Sequence, residues 1–165
     1  MPGWYDTALI CKNGHVINWD MKASPKENVD FCQQCGGKTI SSCGKCGEPI
    51  RGRYNDDDPD VYPDLTSGKP IPNFCHKCGA PYPWIEEKVE AAREFADLLE
   101  ELSDSQREEL KKSLDDIVRD TPRTIVAATR FKRIVGGLGT SAMHSFREIL
   151  VNVISETAKK VIYGP

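Results

Sequence analysis

The second half of the chain carries an apolar pattern with helical spacing. Apolar side chains recur there at steps of three and four residues, which places them on one face of an α-helix. The pattern predicts a first helix over 84–102, and Ser103, with a glutamine three residues later, predicts the N-cap of a second. Thr121-Pro122 marks the start of a third helix. A fourth and longest helix is predicted over 142–162, after a glycine-rich break.

The first half of the chain has shorter apolar runs, which are typical of small β-structures. Residues 4–10 are rich in aromatic and branched side chains and predict a strand, and Val16-Ile17 predict its partner in a hairpin. Residues 20–30 are polar and predict a loop. The proline-rich stretch 51–73, with an acidic run at 56–60, predicts an ordered but irregular excursion.

The overall composition indicates the class of protein. The chain has 165 residues, of which 39% are hydrophobic and 28% are charged, as expected for a soluble protein of one or two small domains. No apolar run approaches the roughly 20 residues that cross a bilayer. The N-terminus lacks the basic start and apolar core of a signal peptide. The sequence therefore predicts a cytoplasmic protein without membrane insertion.

Seven cysteines, all between residues 11 and 78, are the most unusual feature of the composition. Six of them form three C-x-x-C pairs, and glycine follows each pair. Such a tight turn presents two thiolates to one metal ion, and the glycine tolerates the turn. Phe31 and Phe74 precede two of the pairs and are predicted to cover the metal. The pairs are Cys32 with Cys35, Cys43 with Cys46, and Cys75 with Cys78.

The seventh cysteine, Cys11, lies four residues before His15, with an Asn-Gly turn between them. Because this turn brings the imidazole beside the thiolate, seven cysteines and His15 supply eight ligands, enough for two tetrahedral sites. An interleaved cross-brace and a sequential grouping use the same eight ligands, and the sequence leaves both open. The sequential grouping places Cys11, His15, Cys32 and Cys35 on one ion, and Cys43, Cys46, Cys75 and Cys78 on the other.

The identity of the metal follows from the donor types. A disulfide framework is disfavoured, because it would leave one cysteine over and would need an oxidising compartment. Redox pairs are disfavoured too, because redox C-x-x-C pairs normally begin a helix after a buried strand, whereas glycine follows each pair here. Four-thiolate sites accept zinc or iron. The second set, with 28 residues between its two pairs, resembles the spacing of rubredoxin. We expect two zinc ions, with iron in the second site as the alternative.

These metal sites complete a prediction of the fold class. A small ribbon domain cannot bury enough apolar surface to fold without help, and structural zinc supplies it. The predicted fold is α+β, with β-hairpin zinc ribbons over 1–83. A four-helix domain over 84–165 would follow, as a bundle or as two helical hairpins.

Charge is unevenly distributed along a chain whose formal net charge is −3. The formal charge is −7 over residues 84–120 and +5 over 121–165. The simpler interpretation is that the first two helices pair electrostatically with the later ones. The alternative is an exposed basic face that contacts phosphate or an acidic protein. This face would consist of Arg123, Arg130, Lys132, Arg133 and Arg147.

Several segments carry a resemblance to known families. They are Phe31-Cys32-Gln33-Gln34-Cys35-Gly36, residues 43–52, residues 78–84 and Asp120-Thr121-Pro122-Arg123-Thr124. With these segments the whole chain resembles a bacterial family of unknown function that has an N-terminal double zinc ribbon and a helical C-terminal half. Residues 11–17 are also similar to a knuckle in the zinc finger of certain bacterial ribosomal-RNA methyltransferases. That similarity implies a ligand role for His15, but a glycine-rich cofactor-binding βαβ unit is missing from the sequence.

Three hypotheses for function follow from these features. The first is a non-enzymatic zinc-ribbon adaptor that holds a rigid surface, such as the 51–73 excursion, while its helical half binds a protein partner or self-associates. The second is a nucleic-acid-associated protein that uses the basic face. The third is a rubredoxin-like electron carrier. For an enzyme, the residues to inspect would be Thr121, Arg123 and His144.

Overall fold

A computed structural model describes residues 3–55 and 70–165 of the chain. Backbone contacts divide the chain into two compact units, Met1–Trp84 and Ile85–Pro165. The first unit contains the β-structure, and the second is helical. Small sheets followed by five helices within the described residues make an α+β fold, and the predicted fold class is confirmed.

The described residues of the first unit form two small antiparallel sheets. Strand β1 (Trp4–Thr7) pairs with β5 (Arg51–Asn55). The other sheet has the order β3-β2-β4, where β2 is Leu9–Cys11, β3 is Val16–Asn18 and β4 is Thr39–Ile40. The predicted hairpin after the first knuckle is therefore present as β2 and β3.

Two predictions for this unit were wrong in detail. The single strand predicted over 4–10 is two strands that separate at Ala8, whose N–H donates to the carbonyl of Ile50 at 2.8 Å instead of continuing either sheet. The predicted excursion begins as strand β5, because a Cβ at Gly52 would clash with the carbonyl of Trp19 and glycine alone permits this approach. The acidic run at 56–60 lies outside the described residues.

Buried polar side chains hold the predicted loop over 20–30 in place. The Asp6 carboxylate is 2% exposed and accepts backbone N–H groups from Thr7, Lys22 and Ala23 at 2.6, 3.0 and 3.0 Å. Asn18, 5% exposed, donates to the Ser24 carbonyl at 2.9 Å. These bonds replace a sheet ladder, so the loop is ordered without regular structure apart from a short 3₁₀ turn.

The three C-x-x-C-G segments adopt one repeated turn. In each, the glycine N–H donates to the carbonyl of the first cysteine at 2.8 Å. The glycine has φ of +69°, +74° or +70°, in the left-handed region, where a side chain costs about 1–2 kcal/mol. Glycine is therefore required by the turn itself. The three residues are Gly36, Gly47 and Gly79.

We expect Gly47→Ala to destabilise the first unit by about 1–2 kcal/mol, because alanine disfavours positive φ. Chemical denaturation of the metal-loaded protein would measure the change. Gly44→Ala is the matched control within the same knuckle, since neither glycine has an atom near its added Cβ and only Gly47 has positive φ. Equal losses in the two variants would contradict the conformational explanation.

The five helices of the described residues are α1 Pro83–Leu98, α2 Asp104–Ile117, α3 Thr124–Gly136, α4 Thr140–Leu150 and α5 Glu156–Tyr163. Ser103 caps α2 with the predicted capping box, in which its side chain accepts from Gln106 N and the glutamine side chain accepts from Ser103 N. In the core, the buried ring of Phe146 makes edge contacts with Phe95 and Phe131, at centroid distances of 4.9 and 5.3 Å. No helix in the described part of the chain is both long enough and apolar enough to cross a membrane.

The prediction of four helices was wrong, because the long fourth one is divided into α4 and α5. Helix α4 ends before Val151, and Asn152 has a φ of +66°. Ser155 then starts α5 by accepting from Ala158 N at 3.1 Å, while its own N–H donates to the Ile117 carbonyl. The break is thus stabilised by a local cap and by a bond to α2. The first helix also ends at Leu98, four residues earlier than predicted.

Candidate metal centres

The first candidate centre brings together the four side chains of the sequential grouping. One donor atom from each lies within 4.8 Å of the others. Cys11 Sγ lies 3.7 Å from Cys35 Sγ and 3.5 Å from His15 Nδ1, which is 3.6 Å from Cys32 Sγ. The imidazole therefore enters the cluster through Nδ1, and His15 belongs with the three cysteines.

The second candidate centre consists of four sulfurs. Cys43 and Cys46 come from one knuckle, and Cys75 and Cys78 come from another. Two separations between the knuckles, Cys43 to Cys78 and Cys46 to Cys75, are each 3.7 Å. The structure thus shows the sequential grouping for both clusters.

These separations fit the edges of a coordination tetrahedron. With metal–sulfur bonds of about 2.3 Å and metal–nitrogen bonds of about 2.0–2.1 Å, the S···S edge is about 3.8 Å and the S···N edge about 3.5 Å. A disulfide would need sulfurs about 2.05 Å apart, and the seven cysteines are free thiols. The donor sets are those of a double zinc ribbon, and both clusters could hold a metal ion.

Hydrogen bonds to sulfur influence the pKa values of the thiols in the first cluster. Asn13 Nδ2 donates to Cys35 Sγ at 3.2 Å, and the His15 N–H donates to Cys11 Sγ at 3.3 Å. The Asn13 bond is the largest cause that lowers the pKa of Cys35 to about 6. Desolvation raises the pKa of the buried Cys11. Asn13, which the sequence indicated only as a turn residue, therefore favours a thiolate at the exposed edge of the cluster.

The second cluster has thiols whose pKa values diverge. The backbone N–H of Cys78 lowers the pKa of Cys75 to about 6. For Cys46, the Glu48 backbone N–H acts to lower the pKa. Desolvation and the neighbouring sulfurs act in the opposite direction and outweigh it, so the pKa of Cys46 is raised to about 12. Four adjacent sulfurs resist simultaneous ionisation because like charges repel. A bound cation removes this conflict, so metal binding is expected to release protons.

We expect Asn13→Ala to weaken metal binding at the first site about 10–100-fold, the range for loss of an outer-shell partner. The amide that lowers the Cys35 pKa is absent from this variant, so the thiolate is less favoured. Competition with a chromophoric chelator would measure the affinity. Lys12→Ala, which changes the adjacent exposed side chain, is the control. An affinity in Asn13→Ala equal to that of the unaltered protein would contradict this role.

The sequence of the chain matches a family model. A model described as "Uncharacterized protein conserved in bacteria (DUF2321)" matches residues 4–162. The chain belongs to this family. No curated protein and no solved structure matches the chain. The family match spans both metal clusters and all but the last residue of the final helix.

The aromatic cover predicted for the metal sites is only partly in place. Phe31 is 61% exposed, although the adjacent Cys32 is buried. Phe74 is partly buried. Beside the second cluster lies the buried Tyr82, whose pKa is raised by desolvation and by the charges of Cys75 and Cys43. Tyr82 stacks on Trp84 at a centroid distance of 4.7 Å.

The five basic residues of the predicted face lie in different surroundings. Arg130 and Arg133 both pair with Glu109, at 3.0 and 3.4 Å. Lys132 donates to the Val161 carbonyl at 3.0 Å, and the Arg147 guanidinium lies over the Tyr163 ring. The Arg123 N–H donates to Thr121 Oγ1 at 3.3 Å, beside the start of α3. The pairing with Glu109 joins the acidic and basic halves at α2 and α3.

The two histidines outside the clusters pair with glutamates. His76 Nε2 lies 3.4 Å from Glu48, although His76 lies between Cys75 and Cys78 in sequence. His144 is an exposed residue of α4, and its Nε2 lies 4.0 Å from Glu148. The His76 ring is thus directed to Glu48, as expected for a residue inside a knuckle.

Proposed function

We propose that the protein is a zinc-binding interaction module without catalytic activity. Two metal ions fold its N-terminal unit, and the surfaces that they stabilise bind a protein partner. The observation that carries this proposal is the completeness of the two donor sets. Four protein donors satisfy a tetrahedral ion, so no coordination position is left for a substrate or an activated water.

The donor chemistry supports zinc at both positions. A site with three thiolates and one imidazole is typical of structural zinc. The second, four-thiolate site accepts zinc or iron with similar geometry, and its two pairs have rubredoxin-like spacing. Zinc at both sites is the proposal, and iron in the second would favour electron transfer instead. Free thiols in both clusters fit a reducing cytoplasm.

Exposed apolar side chains support a protein partner. In the zinc-stabilised unit, Trp4, Tyr5, Phe31 and Tyr54 are 45%, 43%, 61% and 41% exposed. Large apolar groups on a surface favour interaction sites when they are grouped, as Tyr5 and Tyr54 are, with ring centroids 5.0 Å apart. Arg130 and Arg133 share Glu109, whereas Lys132 and Arg147 contact Val161 and Tyr163, so a continuous phosphate-binding face receives less support.

Metal analysis of the purified protein tests the proposal directly. We expect two zinc ions per chain and no visible absorption, because zinc thiolate is colourless and ferric thiolate is strongly coloured. Substitution with cobalt should give the intense absorption of tetrahedral thiolate coordination at both sites. A five-coordinate cobalt spectrum that changes with small anions would reveal an open position and would contradict a purely structural role.

A partner is tested by capture followed by a purified pairwise titration. We expect a protein captured by the zinc-loaded chain to bind the purified chain with 1:1 stoichiometry. This binding should be lost when a chelator unfolds the first unit. A protein that binds the metal-loaded and chelator-treated forms equally would contradict the proposal that the zinc-stabilised surfaces bind it.

A further inference from the structure

We propose that the helical unit binds a second copy of this chain in a head-to-tail arrangement. The turn between α1 and α2 of one copy would occupy the cleft between α2 and α3 of the other. This inference goes beyond the proposed function, because both of its surfaces belong to the helical unit and not to the unit that the metal ions stabilise. Two surfaces of the same unit, each with the chemistry that the other lacks, carry the argument.

The cleft is lined by aliphatic and basic side chains. Its volume is about 380 Å³. Ile125 and Val126, on successive positions of α3, are 55% and 58% exposed. Arg130 and Arg133 line the same cleft and share one carboxylate, that of Glu109. Two guanidinium groups against one carboxylate leave a net positive charge beside exposed aliphatic carbon.

The α1–α2 turn has an exposed leucine beside acidic residues. Leu98, the last residue of α1, is 76% exposed. Glu100 and Glu101 follow it and are exposed. An aliphatic side chain flanked by carboxylates is the chemical complement of the cleft.

Arg107 holds this turn in one conformation. Its guanidinium donates to the carbonyls of Ala96, Leu99 and Leu102 at 3.3, 3.1 and 3.2 Å. Its side chain is only 19% exposed and also contacts the Asp104 carboxylate at 2.9 Å. The leucine is therefore presented by an ordered turn, which reduces the entropy that binding would cost.

In a head-to-tail contact the two surfaces differ. One cleft and one turn therefore stay unused, at opposite ends of an assembly. The contact is small beside the 1,200–2,000 Å² typical of a stable interface. We therefore expect weak association, with a Kd on the order of 100 µM, that weakens further as salt screens the charges.

Sedimentation velocity on the zinc-loaded full chain, with a non-thiol reductant, tests this proposal. The average mass should rise above 18.4 kDa as concentration increases to about 1 mM, and should fall again in high salt. Leu98→Asp removes the turn's apolar contact, and Ile125→Asp removes that of the cleft. Both positions are exposed, so both variants should fold, as circular dichroism would verify, and each should remain monomeric.

A mixture of the two variants gives the decisive result. Ile125→Asp retains an intact turn and Leu98→Asp an intact cleft, so an equimolar mixture should form a dimer and nothing larger. A monomeric mixture, an unaltered chain that stays monomeric to 1 mM, or association that survives Leu98→Asp would each overturn the proposal. None of these results affects metal content or capture of another protein, which test the proposed function separately.

Discussion

Cys75→Ser is expected to reduce the number of bound metal ions from two to one and to unfold the part of the N-terminal unit around the second site. The serine hydroxyl is a poor ligand for zinc, and a structural zinc site contributes about 10–16 kcal/mol of apparent binding free energy. That is comparable with the entire net stability of about 5–15 kcal/mol typical of a domain. Native mass spectrometry would count the ions. Circular dichroism should retain most of the helical signal, since the helices of the second unit have their own buried core.

His76→Ala is the matched control for this substitution. His76 lies in the same knuckle, but its Nε2 contacts Glu48 at 3.4 Å and is not part of the four-sulfur cluster. This variant should keep two ions and the fold of the first unit. Two ions in Cys75→Ser, or one ion in His76→Ala, would contradict the assignment of donors to the second site.

The residues of the metal clusters could be predicted because their signal is local. A C-x-x-C-G segment specifies its own turn through the positive φ of the glycine, so it brings two sulfurs together whatever surrounds it. His15 follows the same logic, since the Gly14 N–H closes a turn onto the Cys11 carbonyl at 2.8 Å. The grouping of the knuckles depends on long-range contacts, so the sequence could not distinguish a sequential from an interleaved arrangement.

The apolar pattern alone could not predict where strands and helices are interrupted. The apolar stripe continues through residues 150–154 with helical spacing, but Asn152 leaves the helical conformation and Ser155 N–H donates to Ile117 in another helix. Asp6 likewise reads as a polar position within a strand, whereas its buried carboxylate organises a distant loop. In both cases a long-range hydrogen bond decides the local structure.

Trp84→Ala is expected to destabilise the first unit by about 3–5 kcal/mol, the usual cost of truncating a buried large aromatic side chain. Trp84 is fully buried, and its Nε1–H donates to the Pro72 carbonyl at 3.1 Å. It stacks on Tyr82, beside the second cluster. It also lies close to Gly14, where an added Cβ would be 3.1 Å from the Trp84 Cβ. Gly14 precedes His15 of the first cluster, so one side chain supports the surroundings of both clusters.

Loss of this support should therefore accelerate metal release from both sites. We expect transfer of zinc to a chromophoric chelator to become at least about tenfold faster in Trp84→Ala, since 1.4 kcal/mol of the lost stability suffices for a factor of ten. Trp84→Phe keeps an aromatic ring and loses the hydrogen bond, at a cost of about 1 kcal/mol. Its rate of zinc release should therefore lie between the rates of the unaltered protein and of Trp84→Ala. A Trp84→Ala variant that releases both ions at the original rate would show that metal retention does not depend on this packing.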